Sequence, residues 1–329
     1  MSRVAVIGAG AWGTTLAILL AENKHAVTLW AYERDLVPEM AQRRENVRFL
    51  PGFPLSPNIT ITAEAKDAAA AAECLLFVVP TQFLRATACR FTATVRPEAL
   101  IISAGKGIED KTLQLPLQIL AETLPGREAC CLSGPNLSAE IARGLPAAAV
   151  VAARDEVAAK KAQGLLLMDR FRVYTNDDPT GVQLGGALKN VIAIAAGVAD
   201  GLGLGDNAKA ALMVRGSAEI TRLGAALGAK KETFAGLSGV GDLIVTCSSR
   251  LSRNHQVGEQ LAKGIKLKAI QAGMKEVAEG VPTALAARAL GEKHQIDLPI
   301  TTEVCRLLYE DKEPLRAMND LLTRLATSE

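Results

Sequence analysis

Gly8-Ala9-Gly10-Ala11-Trp12-Gly13 is the stretch from which the rest of the chain can be read. It follows a short apolar run, Val4–Ile7, and opens an apolar helical stretch, Ala11–Glu22, after which a second β-branched run, Ala26–Trp30, begins. In a G-x-G-x-x-G turn each glycine has its own task. The first allows the tight turn, the second lets a pyrophosphate approach the backbone, and the third lets helix and strand pack closely. The helix start then presents N–H groups and the positive end of its dipole to phosphate oxygens. Without the flanking elements the motif would be only a glycine-rich turn; strand, turn, helix and strand in this order form the βαβ unit that binds a dinucleotide.

The end of the second strand reads Trp30-Ala31-Tyr32-Glu33-Arg34. An acidic residue here accepts from the ribose 2′-hydroxyl of NAD, whereas an arginine pairs with the 2′-phosphate of NADP. Glu33 suits the first and Arg34 the second, so both cofactors stay open, with a lean to NADP. Arg34 reads equally as a solvated loop cation.

Outward from this turn, short apolar runs alternate with Ala-rich helical stretches, the rhythm of a mostly parallel sheet covered on both faces. Strands are predicted near Val4–Ile7, Ala26–Trp30, Asn58–Ile61, Cys74–Val79, Ala99–Ser103, Cys130–Ser133, Ala147–Ala152 and Phe171–Tyr174, with helices at Ala11–Glu22 and Ala63–Ala72. After Asn176-Asp177-Asp178-Pro179 the rhythm changes: a long, nearly uncharged helix is predicted over Thr180–Leu202, and strand-like runs become rare. Asp178 is a good helix cap and Pro179 suits a first turn. The expectation is an α/β chain of two domains. Residues 1–178 form a Rossmann-type dinucleotide domain with a mostly parallel sheet, and residues 179–329 form an all-α substrate domain.

With 37 basic and 35 acidic residues and no basic run interleaved with aromatics, a nucleic-acid surface is not expected. The six cysteines lack C-x-x-C spacing and the three histidines are scattered, so neither a metal site nor a disulfide framework is expected. Reduced thiols fit a cytoplasmic protein. Met1–Gly8 runs straight into the first strand, and no apolar stretch of about 20 residues is read as free of helix breakers, which predicts neither export nor a membrane span.

Two lysines stand out. Lys106, in Ser103-Ala104-Gly105-Lys106-Gly107, follows the fifth predicted strand and so stands at the carboxyl edge of the sheet, where doubly wound folds bind ligands. Taken alone it is as well a surface lysine. Lys189 is the one cation of an otherwise apolar helix, where an ammonium is costly unless it is paired or loses its charge. A lysine kept there suits proton transfer at a carbonyl or alcohol oxygen, the alternative being a side chain that snorkels to water. Downstream, Asp242 is a natural counter-ion, Arg253 offers a planar fork for phosphate oxygens, and Thr246 and Asn254 add neutral donors.

These motifs resemble the bacterial NAD(P)-dependent glycerol-3-phosphate dehydrogenase family: the turn at Gly8–Gly13, A-G-K-G-I-E at Ala104–Glu109, S-G-P at Ser133–Pro135, G-V-Q-L-G-G-A-L-K-N at Gly181–Asn190, G-D-L-I-V-T-C at Gly241–Cys247, S-R-N at Ser252–Asn254 and V-A-E-G at Val277–Gly280. They occur in family order over nearly the whole chain. The resemblance implies interconversion of dihydroxyacetone phosphate and sn-glycerol 3-phosphate with NADPH or NADH, supplying glycerol 3-phosphate for phospholipid synthesis. It is also compatible with a homodimer. Carried across, Lys189 becomes the proton donor and acceptor, with Lys106 and Asp242 beside it in catalysis. The cofactor positions are Gly8, Gly10, Ala11, Trp12, Gly13, Tyr32, Lys106, Ser138, Arg253, Val277 and Glu279. The substrate positions are Lys106, Gly134, Asn136, Lys189, Asn190, Asp242, Thr246, Ser252, Arg253 and Asn254. Asn136, Ser138 and Ala11 depart from the residues most frequent at their positions, which bears on the contact expected of Asn136. Two other readings share parts of this pattern: a ketopantoate-type or other hydroxyacid reductase, which has no need of a phosphate fork, and a dinucleotide-binding sensor without turnover.

Overall fold

The computed structural model describes residues 1–274 and 276–323. Its contacts divide into two units, the first comprising residues 1–106 and 115–182, the second residues 107–114 and the chain from Gln183 onward.

In the first unit the strands are β1 (Arg3–Ile7), β2 (Ala26–Trp30), β3 (Glu45–Asn46), β4 (Leu50–Pro54), β5 (Ile59–Thr62), β6 (Cys74–Phe77), β7 (Leu100–Ser103), β8 (Ala129–Ser133), β9 (Ala147–Ala152) and β10 (Phe171–Asn176). Eight form one sheet in the order β10-β9-β8-β7-β6-β1-β2-β5, while β3 and β4 form a small antiparallel pair that no sequence pattern announced. The helices are α1 (Ala11–Glu22), α2 (Leu36–Arg43), α3 (Ala65–Ala69), α4 (Thr81–Cys89), α5 (Pro116–Thr123), α6 (Ser138–Ala142) and α7 (Glu156–Leu166). Along β1, Val4 and Val6 join one apolar core and Ala5 and Ile7 the other, so the strand is buried on both faces. That is why the strands read as continuous apolar runs. Every pairing in the large sheet is parallel except β8 with β9, so β9 and β10 run against the rest. The expected helix over Ala63–Ala72 is shorter, ending at Ala69, because the chain must turn into β6, where the Glu73 N–H donates to the Arg3 carbonyl.

Among the described residues the second unit has no strand. Its helices are α8 (Pro179–Gly201), which begins in the first unit, α9 (Gly205–Ala226), α10 (Asp242–Ser248), α11 (Arg253–Ala262), α12 (Leu267–Gly273), α13 (Gly280–His294), α14 (Pro299–Tyr309) and α15 (Pro314–Leu322). The Asp178 carboxylate accepts from the Gly181 N–H at 2.8 Å, which starts α8. One expectation needs correcting: α8 is a continuous 23-residue helix long and apolar enough to cross a membrane, despite its internal glycines. Its most apolar window is wholly buried within the fold, as in a core helix. The glycines are what let neighbours reach it. A Cβ at Gly197 would stand 2.0 Å from the His255 carbonyl oxygen, and one at Gly258 would stand 2.0 Å from that of Ile194, so α8 and α11 cross backbone to backbone.

Glu219, on α9, is buried and accepts from the Ile300 and Thr301 N–H groups at the start of α14. Burial pushes its carboxyl up to about 7, against these hydrogen bonds. A carboxyl titrating near 4.5 in the unfolded chain and near 7 in the folded one stabilises the fold fully below the lower value and loses that contribution as pH rises through the upper. Denaturant midpoints should therefore fall between those pH values, by a total on the order of 3 kcal/mol, and Glu219→Gln should flatten the dependence. An unchanged pH profile in the variant refutes this.

Candidate active site

In the first unit, Gly8 has φ +117°, a conformation that favours glycine, and its N–H donates to the Trp30 carbonyl at 3.0 Å. A Cβ at Gly13 would lie 1.8 Å from the Gly8 carbonyl oxygen, so α1 packs directly on the turn. Gly10 caps α1 without a side-chain hydrogen bond, and no acidic residue stands in its first turn. Ala11 and Trp12 follow, both half-buried. Asn46 holds the turn from outside the motif: its Nδ2 donates to the Ala9 carbonyl at 2.7 Å and to Thr14 Oγ1 at 2.8 Å, with the side chain fully buried. Nothing local to Asn46 signals this role, since it depends on a hairpin brought back 32 residues later in the chain than Thr14.

At the carboxyl edge of β7 and β8, half-buried Lys106 donates to the Gly134 carbonyl at 2.8 Å. Gly134 has φ +128°, and a Cβ there would meet the Ala149 Cα at 3.0 Å. Asn136 Nδ2 donates to the Ala148 carbonyl at 3.2 Å, whereas its Oδ1, like the Ser103 and Ser133 hydroxyls, is buried with no hydrogen-bond partner among the described residues. Ser138 opens α6, and its carbonyl accepts from Thr15 Oγ1 of α1 at 3.3 Å. Tyr32 is exposed beyond β2, and Arg34 is exposed and ion-paired with Glu64 at 3.0 Å. A turn that only glycine fits, a helix start without an acidic neighbour and buried unpartnered acceptors and hydroxyls at the strand ends suit a dinucleotide. This unit thus meets the chemical requirements of NAD or NADP.

In the second unit, Lys189 is 6% exposed and Asp242 1%. The Lys189 ammonium donates to the Asp242 carboxylate and, at 2.7 Å, to Thr246 Oγ1; that hydroxyl in turn donates to the Asp242 carbonyl at 2.7 Å. Local backbone makes this possible. A Cβ at Gly185 would stand 2.5 Å from the Ser238 carbonyl oxygen, so the turn at Leu237–Gly241 lies against α8 one helical turn before Lys189 and delivers Asp242 at the start of α10. Neighbouring Cys247 is buried, which pushes its thiol up to about 12 and leaves it a poor nucleophile.

Asn190 accepts on Oδ1 from Asn254 Nδ2 at 2.9 Å, and Asn254 Oδ1 accepts from the Gly280 N–H at 2.9 Å, tying α8, α11 and α13 together. Asn254 was expected as a phosphate donor, yet much of its amide is engaged in this ladder. Ser252 caps α11 by accepting from the His255 N–H at 3.3 Å. Arg253 stands at the first position of that helix, where it donates to the Val277 carbonyl at 2.8 Å and pairs with Glu276 at 3.2 Å. Glu279 immediately precedes α13. Unread from sequence was a buried His255 whose Nε2 lies 2.8 Å from Asp200, itself paired with Lys209 at 3.0 Å. Burial opposes the Asp200 charge, but the hydrogen bonds from Lys209 and His255 hold its carboxyl below the usual range. Among the described residues no cluster of His, Cys, Asp or Glu could hold a metal ion.

The family model for the N-terminus of NAD-dependent glycerol-3-phosphate dehydrogenase matches residues 3–159, and that for its C-terminus matches residues 178–319. The chain is 48% identical to the NAD(P)+ glycerol-3-phosphate dehydrogenase of Geobacter sulfurreducens over 98% of its own length and 97% of that protein. The chain belongs to the NAD-dependent glycerol-3-phosphate dehydrogenase family. A crystal structure of a family member from Coxiella burnetii superposes with a TM-score of 0.95 at 38% identity, covering 98% of this chain and 99% of that one. A ketopantoate reductase from Ralstonia eutropha, the nearest competing reading, reaches a TM-score of 0.60 over 97% of this chain and 99% of that one. At 15% identity it shares the fold alone.

Removing Asp242 leaves a buried ammonium without its carboxylate, which should cost about 3–5 kcal/mol. Asp242→Ala is expected to lower the urea midpoint accordingly, and a loss under about 1 kcal/mol would show the amine already in water.

Proposed function

We infer that this protein interconverts dihydroxyacetone phosphate and sn-glycerol 3-phosphate with NADPH or NADH. The observation that carries the reading is the buried Lys189–Asp242–Thr246 cluster in a chain of this family. When bound, the reduced nicotinamide supplies the hydride that the ketone carbon accepts. The α1 N-terminus and glycine turn bind the pyrophosphate through backbone N–H groups. Lys189 delivers a proton to the ketone oxygen as negative charge develops there, and in the reverse direction takes one from the alcohol. Asp242 and Thr246 hold its Nζ at a fixed place, so the proton is aimed before the substrate arrives. Lys106 adds positive charge near the developing alkoxide. Arg253, with Ser252 and Asn254 beside it, receives the substrate phosphate, exchanging its pairing with Glu276 for a doubly charged anion. Asn190 acts through Asn254, keeping that side chain in register.

The proposal extends to domain roles: residues 1–178 hold the cofactor and residues 179–329 the substrate. Supply of glycerol 3-phosphate for phospholipid synthesis, a cytoplasmic site of action and a homodimer belong to the same reading. Its support is the family relationship.

Oxidation of NADPH and NADH measured with dihydroxyacetone phosphate and with unphosphorylated keto acids tests the substrate. A clear preference for the phosphorylated ketone is expected, and its lack would overturn the assignment. Lys189→Ala should reduce kcat by roughly 10²–10⁴ while cofactor binding persists; a variant with normal turnover would favour a sensor. Arg253→Ala should raise KM for the phosphorylated ketone about tenfold or more, the loss of a charge-assisted fork, and an unchanged KM would remove Arg253 from the phosphate site.

A further inference from the structure

Arg90, which closes the C-terminus of α4, carries an exposed guanidinium that lies 5.0 Å from the centre of the Tyr32 ring and 5.9 Å from that of Trp30. Both distances are within cation–π range. The platform beneath is anchored: Trp30 is buried, donates through Nε1 to the Ala63 carbonyl at 2.9 Å, and meets Phe91 edge-on at 5.4 Å. Tyr32 in turn sits edge-on to Trp30 at 6.2 Å. Among the described residues no carboxylate pairs with Arg90, whereas Arg34, the cation suggested by sequence, is already paired with Glu64.

An arginine held on aromatic rings and left without an anion is an open fork. It stands over Tyr32, with Glu33 next in the chain, just past β2, the position where this kind of turn recognises the adenosine ribose. Glu33 by itself would accept from a ribose 2′-hydroxyl and repel a 2′-phosphate; a fixed guanidinium alongside reverses that balance. We propose that Arg90, seated on Tyr32, pairs with the 2′-phosphate of NADP and sets the preference for NADP over NAD. This rests on the dinucleotide reading above. Because the rings already restrain the side chain, less rotamer freedom is lost when the phosphate is bound.

Calorimetric titration with 2′,5′-ADP and with 5′-ADP separates the phosphate contact from the rest of the cofactor and needs no turnover. Arg90→Gln should weaken 2′,5′-ADP about tenfold, the loss of one charge-assisted pair, and leave 5′-ADP nearly unchanged. Arg90→Lys, which keeps a charge but not the fork, should fall between. KM for NADPH should rise in parallel in Arg90→Gln with that for NADH unmoved. Equal weakening of both probes would reduce Arg90 to a packing role, and undiminished 2′,5′-ADP binding, or its loss in Arg34→Gln alone, would overturn the proposal. If neither probe binds the unaltered protein, the dinucleotide reading fails first and this one with it.

Discussion

An ammonium carried by an apolar helix must be compensated where it stands, and for Lys189 the compensation comes from Asp242, 53 residues further along the chain. Much of the second unit is arranged around that meeting. Gly185 lets the Leu237–Gly241 turn approach α8 closely, that turn places Asp242 at the head of α10, and Thr246, one helical turn on, ties the ammonium to the same carboxylate's backbone. Buried in this way, the three groups keep one geometry, because any rotation of Lys189 would leave charge unpaired in an apolar surround.

The same economy of contact recurs along α8. Gly197 admits the backbone of α11, and Asn190 bonds to Asn254, which itself receives the Gly280 N–H at the start of α13. The residues flanking the proton-bearing lysine thus fix the helix whose first residue is Arg253. Neighbours in sequence are tied differently: Lys189 to the Asp242 carboxylate and Thr246, Asn190 to Asn254 of α11.

The first unit solves a different problem, that of holding a backbone turn in a shape only glycine allows. Gly8 and Gly13 make the turn geometrically feasible, and Asn46 donates a hydrogen bond to the Ala9 carbonyl within it. Lys106 is likewise held through the Gly134 carbonyl, at a strand end where buried hydroxyls have no partner among the described residues.

Local pattern was enough to determine the eight strands of the large sheet, the N-terminal helix and its glycine turn, the cap at Asp178 and the isolation of Lys189 in an apolar helix. Each of these depends on burial periodicity or on backbone conformations that few residue types adopt. Only the folded chain decided that β9 and β10 oppose the other strands, that residues 107–114 group with the second unit, that Asn46 holds the glycine turn and that Asn254 is committed to Asn190. Strand direction, excursions of a loop and the partners of a neutral amide are set by contacts between residues far apart in the chain. The energy of such a contact depends on where the intervening segments return, and no local stretch of sequence carries that information.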